Sequence, residues 1–349
     1  MSDESNQPAT ISDIARLSGV SNRTVSRVLN GSAKVGEATR EKIQRVIDER
    51  SYRPNAQARG LAGGRSYLLG LIYDNPDGLF IDEAQRGVLA MCREQGYELV
   101  IHPCGGTDML SSEVVGSVKR SKLDGVIVLP PLSEDHNLFG ALAQEKVPYV
   151  RLAAVALDTS DRVVVSNERS AVASMAEYLV GLGHRRIGYI TGPGGRRSTR
   201  ERLEGFSDAL ERLGCPIPEE MIARGAYSFE SGIQCARQLL ASSEPPTAIF
   251  ASNDDMAAGV IHTATELGFS VPRDLSVAGF DDSALATRIR PALTTIRRPV
   301  RAMAGLAANK LIATIEGRHQ ETRLGVFMDP ELVIRDSTRA LEPVISSQE

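Results

Sequence analysis

The sequence predicts an N-terminal all-α helix-turn-helix head followed by an α/β core of two doubly wound lobes. Three observations carry that prediction. The chain has 349 residues, more than one compact core at roughly 100–200 residues per domain, so two or three units are expected. Its formal charge of −4 is unevenly placed: residues 10–60 hold ten Arg and Lys against five acids, a local +5, which leaves −9 for the rest. A small basic head on an acidic body is the asymmetry expected when only the head meets a polyanion. The apolar pattern also changes, from helical spacing up to about residue 50 to short apolar strands alternating with amphipathic helices from Tyr67 onward.

Composition excludes several classes. With 42% apolar and 24% charged residues the chain reads as an ordinary globular protein. No apolar run reaches the ~18–20 residues needed to span a bilayer. The polar start, Met1 to Gln7, lacks the basic region and apolar stretch of a signal peptide, so a cytoplasmic protein with no membrane partner is expected. Cys92, Cys104, Cys215 and Cys235 are scattered without a CxxC pair. They are expected as buried free thiols, not as a disulfide framework or a zinc site.

In the head, Thr10 is a plausible N-cap, with Asp13 three residues on, for a helix presenting Ile11, Ile14, Ala15 and Leu17 on one face. Gly19 can take the left-handed conformation of a tight helix–helix turn, Val20 plugs it, and Ser21 caps a second helix. There Val25, Val28 and Leu29 face inward while Asn22, Arg23 and Arg27 face out. Asn and Arg are the side chains that read adenine and guanine edges in a major groove. A third helix, about Glu37 to Arg50, closes the small core with Ile43, Val46 and Ile47.

The run Ile14-Ala-Arg-Leu-Ser-Gly-Val-Ser-Asn-Arg-Thr-Val-Ser-Arg-Val-Leu-Asn30, followed by Thr39-Arg40 and Tyr52-Arg-Pro-Asn55, closely resembles the DNA-binding head of the lactose-repressor-type (LacI/GalR) family of bacterial transcription regulators. The resemblance implies base contacts from Asn22, Arg23 and Arg27. It implies backbone-positioning roles for polar residues such as Ser21, Thr24 and Ser26, and makes Thr10, Asn30, Tyr52 and Asn55 further candidates for contact with double-stranded operator DNA. Gly36 departs from the Ser or Thr cap common in the family, at little cost. Residues 55–64, Asn-Ala-Gln-Ala-Arg-Gly-Leu-Ala-Gly-Gly, are too few to form a stable helix alone. In the family this stretch is a hinge helix that folds on DNA and wedges a leucine into the minor groove, with Ala58 and Leu61 at the matching positions.

From Leu68 the strands read 68–73, 97–101, 124–129 and 148–152, then 186–190, 248–251 and 275–279. Helices fall at about 83–95, 200–213, 228–240 and 254–267. Two successive strand–helix sets imply two parallel sheets facing each other, with ligand between the carboxyl ends of their strands. The resemblance extends over nearly the whole chain and implies a periplasmic-binding-protein-like core. Its effector-pocket positions carry Arg202 with Ser198, Asn253 and Asp281. Carboxylate, amide and guanidinium suit a polyhydroxylated ligand such as a sugar or sugar derivative, and Tyr73, Phe80 or Tyr227 offers an apolar face. Asp74 and Arg151 are further candidates at strand ends.

The expected domains are 9–53 for the helix-turn-helix, 54–66 for the hinge, and 67–340 for the effector and dimerisation core. Within the core, lobe 1 takes about 67–165 plus 298–326 and lobe 2 about 166–297 plus 327–340. No enzyme signature appears. Thr191-Gly-Pro-Gly-Gly195 lacks the spacing of a phosphate loop, and the five histidines show neither HExxH nor an i,i+4 pair. No cofactor or metal is expected, and His184 is read as structural. The implied protein is a homodimeric, nucleoid-associated repressor of a palindromic operator, controlled by a small effector. The family would pair its cores near Val163–Val165 and the helix from about Glu168, and the tail from Ala340 has no heptads for a tetramer. The alternative is a cytoplasmic sugar-binding or sugar-processing protein with an incidental helical extension. Deleting residues 1–60 separates the two, since only a regulator loses DNA binding.

Overall fold

A computed structural model describes residues 9–29, 34–50, 52, 65–74, 78–105, 110–318 and 327–341. Asn30, Asn55, Ala58, Leu61 and most of the hinge, together with residues 342–349 of the tail, lie outside the described residues. The chain divides into two compact units, 1–67 and 68–349.

The first unit holds three helices, α1 (Ile11–Ser18), α2 (Asn22–Leu29) and α3 (Glu37–Glu49). Thr10 closes a capping box with Asp13, and Gly19 takes φ 66° in the turn. Hydrogen bonds from Thr10 and Arg16 hold the Asp13 carboxyl below its usual range. Ile14, Ala15, Val25, Val28, Ile43 and Ile47 form the core, with Val46 and Tyr52 packed against it. Side chains of this kind contribute ~1.5–3 kcal/mol each when fully buried. One position departs from the helical pattern. Leu17 is exposed while Ser18 is buried, because the Ser18 hydroxyl folds back onto the Ile14 carbonyl at 2.5 Å and needs no solvent.

The second unit contains two six-stranded sheets. In the first, β1 (Leu68–Tyr73), β2 (Glu98–Pro103), β3 (Gly125–Val128), β4 (Tyr149–Ala153), β5 (Val163–Ser166) and β11 (Phe327–Met328) run in the order β11-β5-β4-β3-β1-β2, all parallel. The second sheet uses β6 (Ile187–Thr191), β7 (Ile222–Arg224), β8 (Ala248–Ala251), β9 (Ser276–Asp281), β10 (Thr294–Arg297) and β12 (Glu331–Val333). Its order is β12-β10-β9-β8-β6-β7, with only β12 antiparallel. Strands such as Gly125–Val128 and Ala248–Ala251 are buried throughout, as central parallel strands covered on both faces must be.

The chain crosses between the lobes three times, at Asn167, at Arg298–Pro299 and at Asp329–Pro330. The third crossing falls two residues beyond the expected boundary at 326, because Phe327 and Met328 still pair with Val165 and Ser166 of β5. Asn167 Nδ2 donates to Asp329 Oδ1 at 3.0 Å, tying the first crossing to the third. Helix Val300–Glu316 returns to lobe 1 and packs on helix Gly78–Gln95. Val163, Val164 and Val165 are fully buried inside one chain, so they cannot pair two cores as the resemblance implied. Strands of two to four residues such as β7, β10, β11 and β12 carry too short an apolar run to be read from sequence. No helix among the described residues is long and apolar enough to cross a membrane.

Candidate DNA-reading face and ligand cleft

On the head, Ser21 caps α2 by accepting from Thr24 N–H at 3.2 Å, and its hydroxyl also meets that of Thr24 at 2.9 Å. Asn22 Nδ2 donates to Ser12 Oγ at 3.2 Å, bracing the start of α2 against α1. Arg23 and Arg27 are exposed on α2, with Thr24 and Ser26 half-buried beside them. Thr10 and Ser21 therefore work as caps, and Tyr52 sits half-buried against the head core, where burial raises its phenol pKa. The freely presented side chains are the two arginines, on a short helix whose opposite face is anchored by Val25 and Val28.

In the body, the carboxyl ends of both sheets meet at a cleft between the lobes, the place where open α/β sheets bind ligands. Phe80, Pro131 and Ala153 line it from lobe 1, and Ser198, Arg202, Tyr227, Asn253 and Asp281 from lobe 2, with Glu168 and Arg298 at the crossings. Six of the nine effector residues expected from sequence thus meet in one place. Three do not line it. Tyr73 and Asp74 end β1 outside it, and Arg151, buried in β4, is taken up elsewhere. Its guanidinium lies 3.6 Å from the Phe139 ring centroid and 3.2 Å from Asp158, satisfying a buried cation inside lobe 1.

The floor of the cleft is a chain of buried ion pairs. Arg202 Nε donates to Glu168 Oε2 at 2.6 Å and its Nη1 to the Ser252 carbonyl at 2.6 Å, with Cζ 3.9 Å from the Phe280 ring centroid. Arg298 Nη1 reaches Glu168 Oε1 at 3.2 Å, while Nε and Nη2 both lie 2.7 Å from Asp281 Oδ1. Burial alone would raise the Glu168 carboxyl, but the Arg202 and Arg298 charges and hydrogen bonds outweigh it and lower the pKa. Asp254, next along, accepts from Thr295 Oγ1 at 2.6 Å and Ser283 N–H at 2.7 Å. Burial, with Asp281 adding its charge, pushes Asp254 up to about 8.

Local backbone explains why these groups converge. Asp281 and Asp282 hold φ 116° and 53°, conformations that cost side-chain residues of order 1–3 kcal/mol each. Arg298 on Asp281, and Arg297 and Arg335 on Asp282, hold them there. Tyr227, at φ 62°, hydrogen-bonds Thr199 Oγ1 at 3.0 Å, and Asn253 Nδ2 donates to its carbonyl at 3.0 Å. Its ring lies across Gly192, where a Cβ would come within 2.1 Å of it. The glycine-rich loop after β6 therefore admits an aromatic ring and need not cradle phosphate. Glu134 of lobe 1 caps helix Arg197–Arg212 of lobe 2, accepting from Arg197 N–H at 2.7 Å and Ser198 N–H at 3.2 Å. A carboxylate at a helix N-terminus is favoured by the exposed N–H groups and the dipole.

Glu168 and Arg298 are functional candidates that sequence reasoning missed. Each lies within two residues of the cleft-facing end of a strand, Ser166 for Glu168 and Arg297 for Arg298, which was the available signal. His184 is structural: its ring bonds the hydroxyls of Thr247 and Ser276 and the Arg339 carbonyl. The four thiols are free and buried; burial pushes those of Cys92 and Cys104 up to about 12, which disarms them as nucleophiles.

Two family models match the chain: bacterial regulatory proteins, lacI family, over residues 10–55, and periplasmic binding protein-like domain over residues 176–338. The probable HTH-type transcriptional repressor ExuR of Bacillus subtilis (strain 168) is 35% identical over 337 residues, 95% of this chain and 99% of that protein. Among solved structures, the lac repressor dimer bound to operator and the anti-inducer ONPF is similar with TM-score 0.74 and 29% identity, covering 96% of this chain and 100% of that one. The transcriptional regulator CelR–cellobiose complex follows at TM-score 0.71 and 29% identity, with 94% and 99% covered.

Proposed function

The chain belongs to the lacI family of bacterial regulatory proteins, and on that premise we propose that it is a transcriptional repressor, not an enzyme, that binds a palindromic operator as a homodimer and is controlled by a sugar or sugar derivative. The observation that carries the control step is the cleft, where lobe-1 and lobe-2 groups and two of the three lobe crossings meet in one ion-pair chain.

The units assigned to these steps are the reader 9–53, the hinge 54–66 and the sensor 67–340. Arg23, Arg27 and Asn22 read base edges, while Ser21, Thr24, Ser26, Thr10 and Tyr52 fix the register of the head on the backbone. Asn55, Ala58 and Leu61 act where the hinge meets the minor groove. In the sensor, Arg202, Asp281, Asn253 and Ser198 pair with ligand hydroxyls and Phe80 or Tyr227 covers an apolar face. Glu168 and Arg298 hold the pocket charges in place. The cellobiose in the CelR complex supports an effector of this class. Ligand binding shifts the population of lobe arrangements and so the spacing of two hinges on DNA. The protein works in the cytoplasm, on the nucleoid.

The test is an anisotropy titration of the full chain on a palindromic duplex across a salt series, with and without mono- and disaccharides first screened by thermal shift. Log affinity is expected to fall linearly with log salt, by roughly 0.9 per phosphate neutralised, and one sugar to change operator affinity. Salt-independent binding, or a stabilising sugar with no effect on DNA binding, would overturn the reading.

A further inference from the structure

Away from the cleft, at the end of edge strand β2, three different metal-ligating side chains point at one another. His102 and Cys104 are two residues apart on extended chain and share a face; the ladder continues through Cys104, whose N–H donates to the Tyr73 carbonyl at 2.8 Å. Opposite them, helix Leu110–Ser121 presents Glu113 and Ser117, four residues apart and so also on one face. The donor atoms of His102, Cys104 and Glu113 all lie within 4.8 Å of one another.

The imidazole is already oriented. Its Nδ1 lies 3.2 Å from Ser117 Oγ, which leaves Nε2 directed at the other two donors. Nε2 is buried and has no hydrogen-bond partner among the described residues; Glu113 Oε1 stands 3.5 Å away. Cys104 is 7% exposed, and Glu113 and Asp74 both bear on its sulfur electrostatically. An imidazole nitrogen, a thiol and a carboxylate converge where a divalent cation would satisfy all three at once.

We propose that His102 Nε2, Cys104 Sγ and a Glu113 carboxylate oxygen form a binding site for a zinc-class divalent cation, with Ser117 as a positioning residue. Mixed nitrogen, sulfur and oxygen donors select Zn²⁺ or Co²⁺ over Mg²⁺ and Ca²⁺. Donors around a tetrahedral ion of this size stand roughly 3.3–3.8 Å apart, so side-chain rotations of about an ångström close the set. Three protein ligands leave a fourth position for water. Bound metal fastens the edge strand to the helix that covers it. The site uses none of the cleft residues, so it stands or falls independently of the effector.

The test uses the untagged full chain, purified with reductant, treated with chelator and titrated with Co²⁺ and Zn²⁺. One equivalent per chain is expected, with a thiolate-to-cobalt charge-transfer absorption and a raised melting temperature. Cys104→Ser must lose the charge-transfer band and His102→Ala the stoichiometric binding. Ser117→Ala should weaken binding about 10–100-fold, and Glu113→Gln, at a half-buried position, is a variant whose folding is not in question. A wild-type chain that takes up no stoichiometric metal, or wild-type binding retained by Glu113→Gln and His102→Ala, would overturn the proposal.

Discussion

Replacing Glu168 by Gln removes one charge from the centre of the cleft floor and changes little else in shape. Glu168 is 2% exposed and is held between Arg202 at 2.6 Å and Arg298 at 3.2 Å. In Glu168→Gln the two buried guanidinium groups share Asp281 as their remaining close acidic partner, already engaged by Arg298 at 2.7 Å. Removing one partner of a buried ion pair costs about 3–5 kcal/mol, because the remaining charge stays desolvated. Gln keeps one acceptor oxygen, which places the expected loss near ~3 kcal/mol. For a unit of this size, at ~2–4 °C per kcal/mol, the melting temperature should fall by about 6–12 °C. The effect has a pH signature. The folded-state pKa of Glu168 lies below its ordinary 4.5, so its stabilisation is complete above that value and is lost as pH falls through the folded-state pKa. Urea and thermal unfolding of both proteins from pH 7 to below pH 4 should show a gap that is constant above about 4.5 and narrows below it. A loss under ~1 kcal/mol, or a gap that pH leaves unchanged, would refute the argument that charge, not shape, holds the crossings together.

Three further outcomes follow from other contacts. Glu134→Gln weakens the carboxylate cap that joins lobe 1 to helix Arg197–Arg212; a charge at a helix N-terminus is worth ~0.3–2 kcal/mol, so effector affinity by calorimetry should drop about 2–30-fold. Asp254→Asn should stabilise, and more so at higher pH. With its pKa raised to about 8, Asp254 keeps a proton in the fold that the unfolded chain releases near 4, so wild-type stability falls by up to ~1.4 kcal/mol per pH unit between those values; melting curves that run parallel for the two proteins from pH 5 to 8 would contradict this. Gly60→Ala, in the hinge stretch, should strengthen operator binding, since glycine costs a helix interior ~1 kcal/mol relative to alanine, and a titration showing unchanged affinity would remove the hinge helix from the account.

How far the sequence reached differs between the two units. The head was legible almost residue by residue, because its caps, turn glycine and apolar spacing are local: Thr10, Gly19, Ser21, Val25 and Ile43 stand where short-range rules put them. Its one surprise, Ser18 inside and Leu17 outside, arose from a side chain bonding its own helix. The body was legible as strands and helices; of the six pocket residues that meet, Asn253 and Asp281 lie at strand ends, which face the cleft in any sheet of this kind, while Ser198 and Arg202 lie in a helix and were placed through the family resemblance.

Partner choice was decided only by tertiary structure. Arg151 stands within β4 and Arg202 within helix Arg197–Arg212, and no short-range rule says which partner either meets; packing turned one onto Phe139 and Asp158 and the other onto Glu168 and Phe280. Likewise the resemblance placed the contact with a second copy near Val163–Val165, but the fold buries all three side chains within one chain, and β11 pairs with Val165 and Ser166. The amino-acid sequence by itself determined the periodicities, the caps and the charge division between head and body, since those depend on neighbours within a few residues. Which buried arginine meets which carboxylate, and where the chain crosses between lobes, depends on residues more than a hundred positions apart, such as Arg298 and Glu168, and only the folded sheets bring these together.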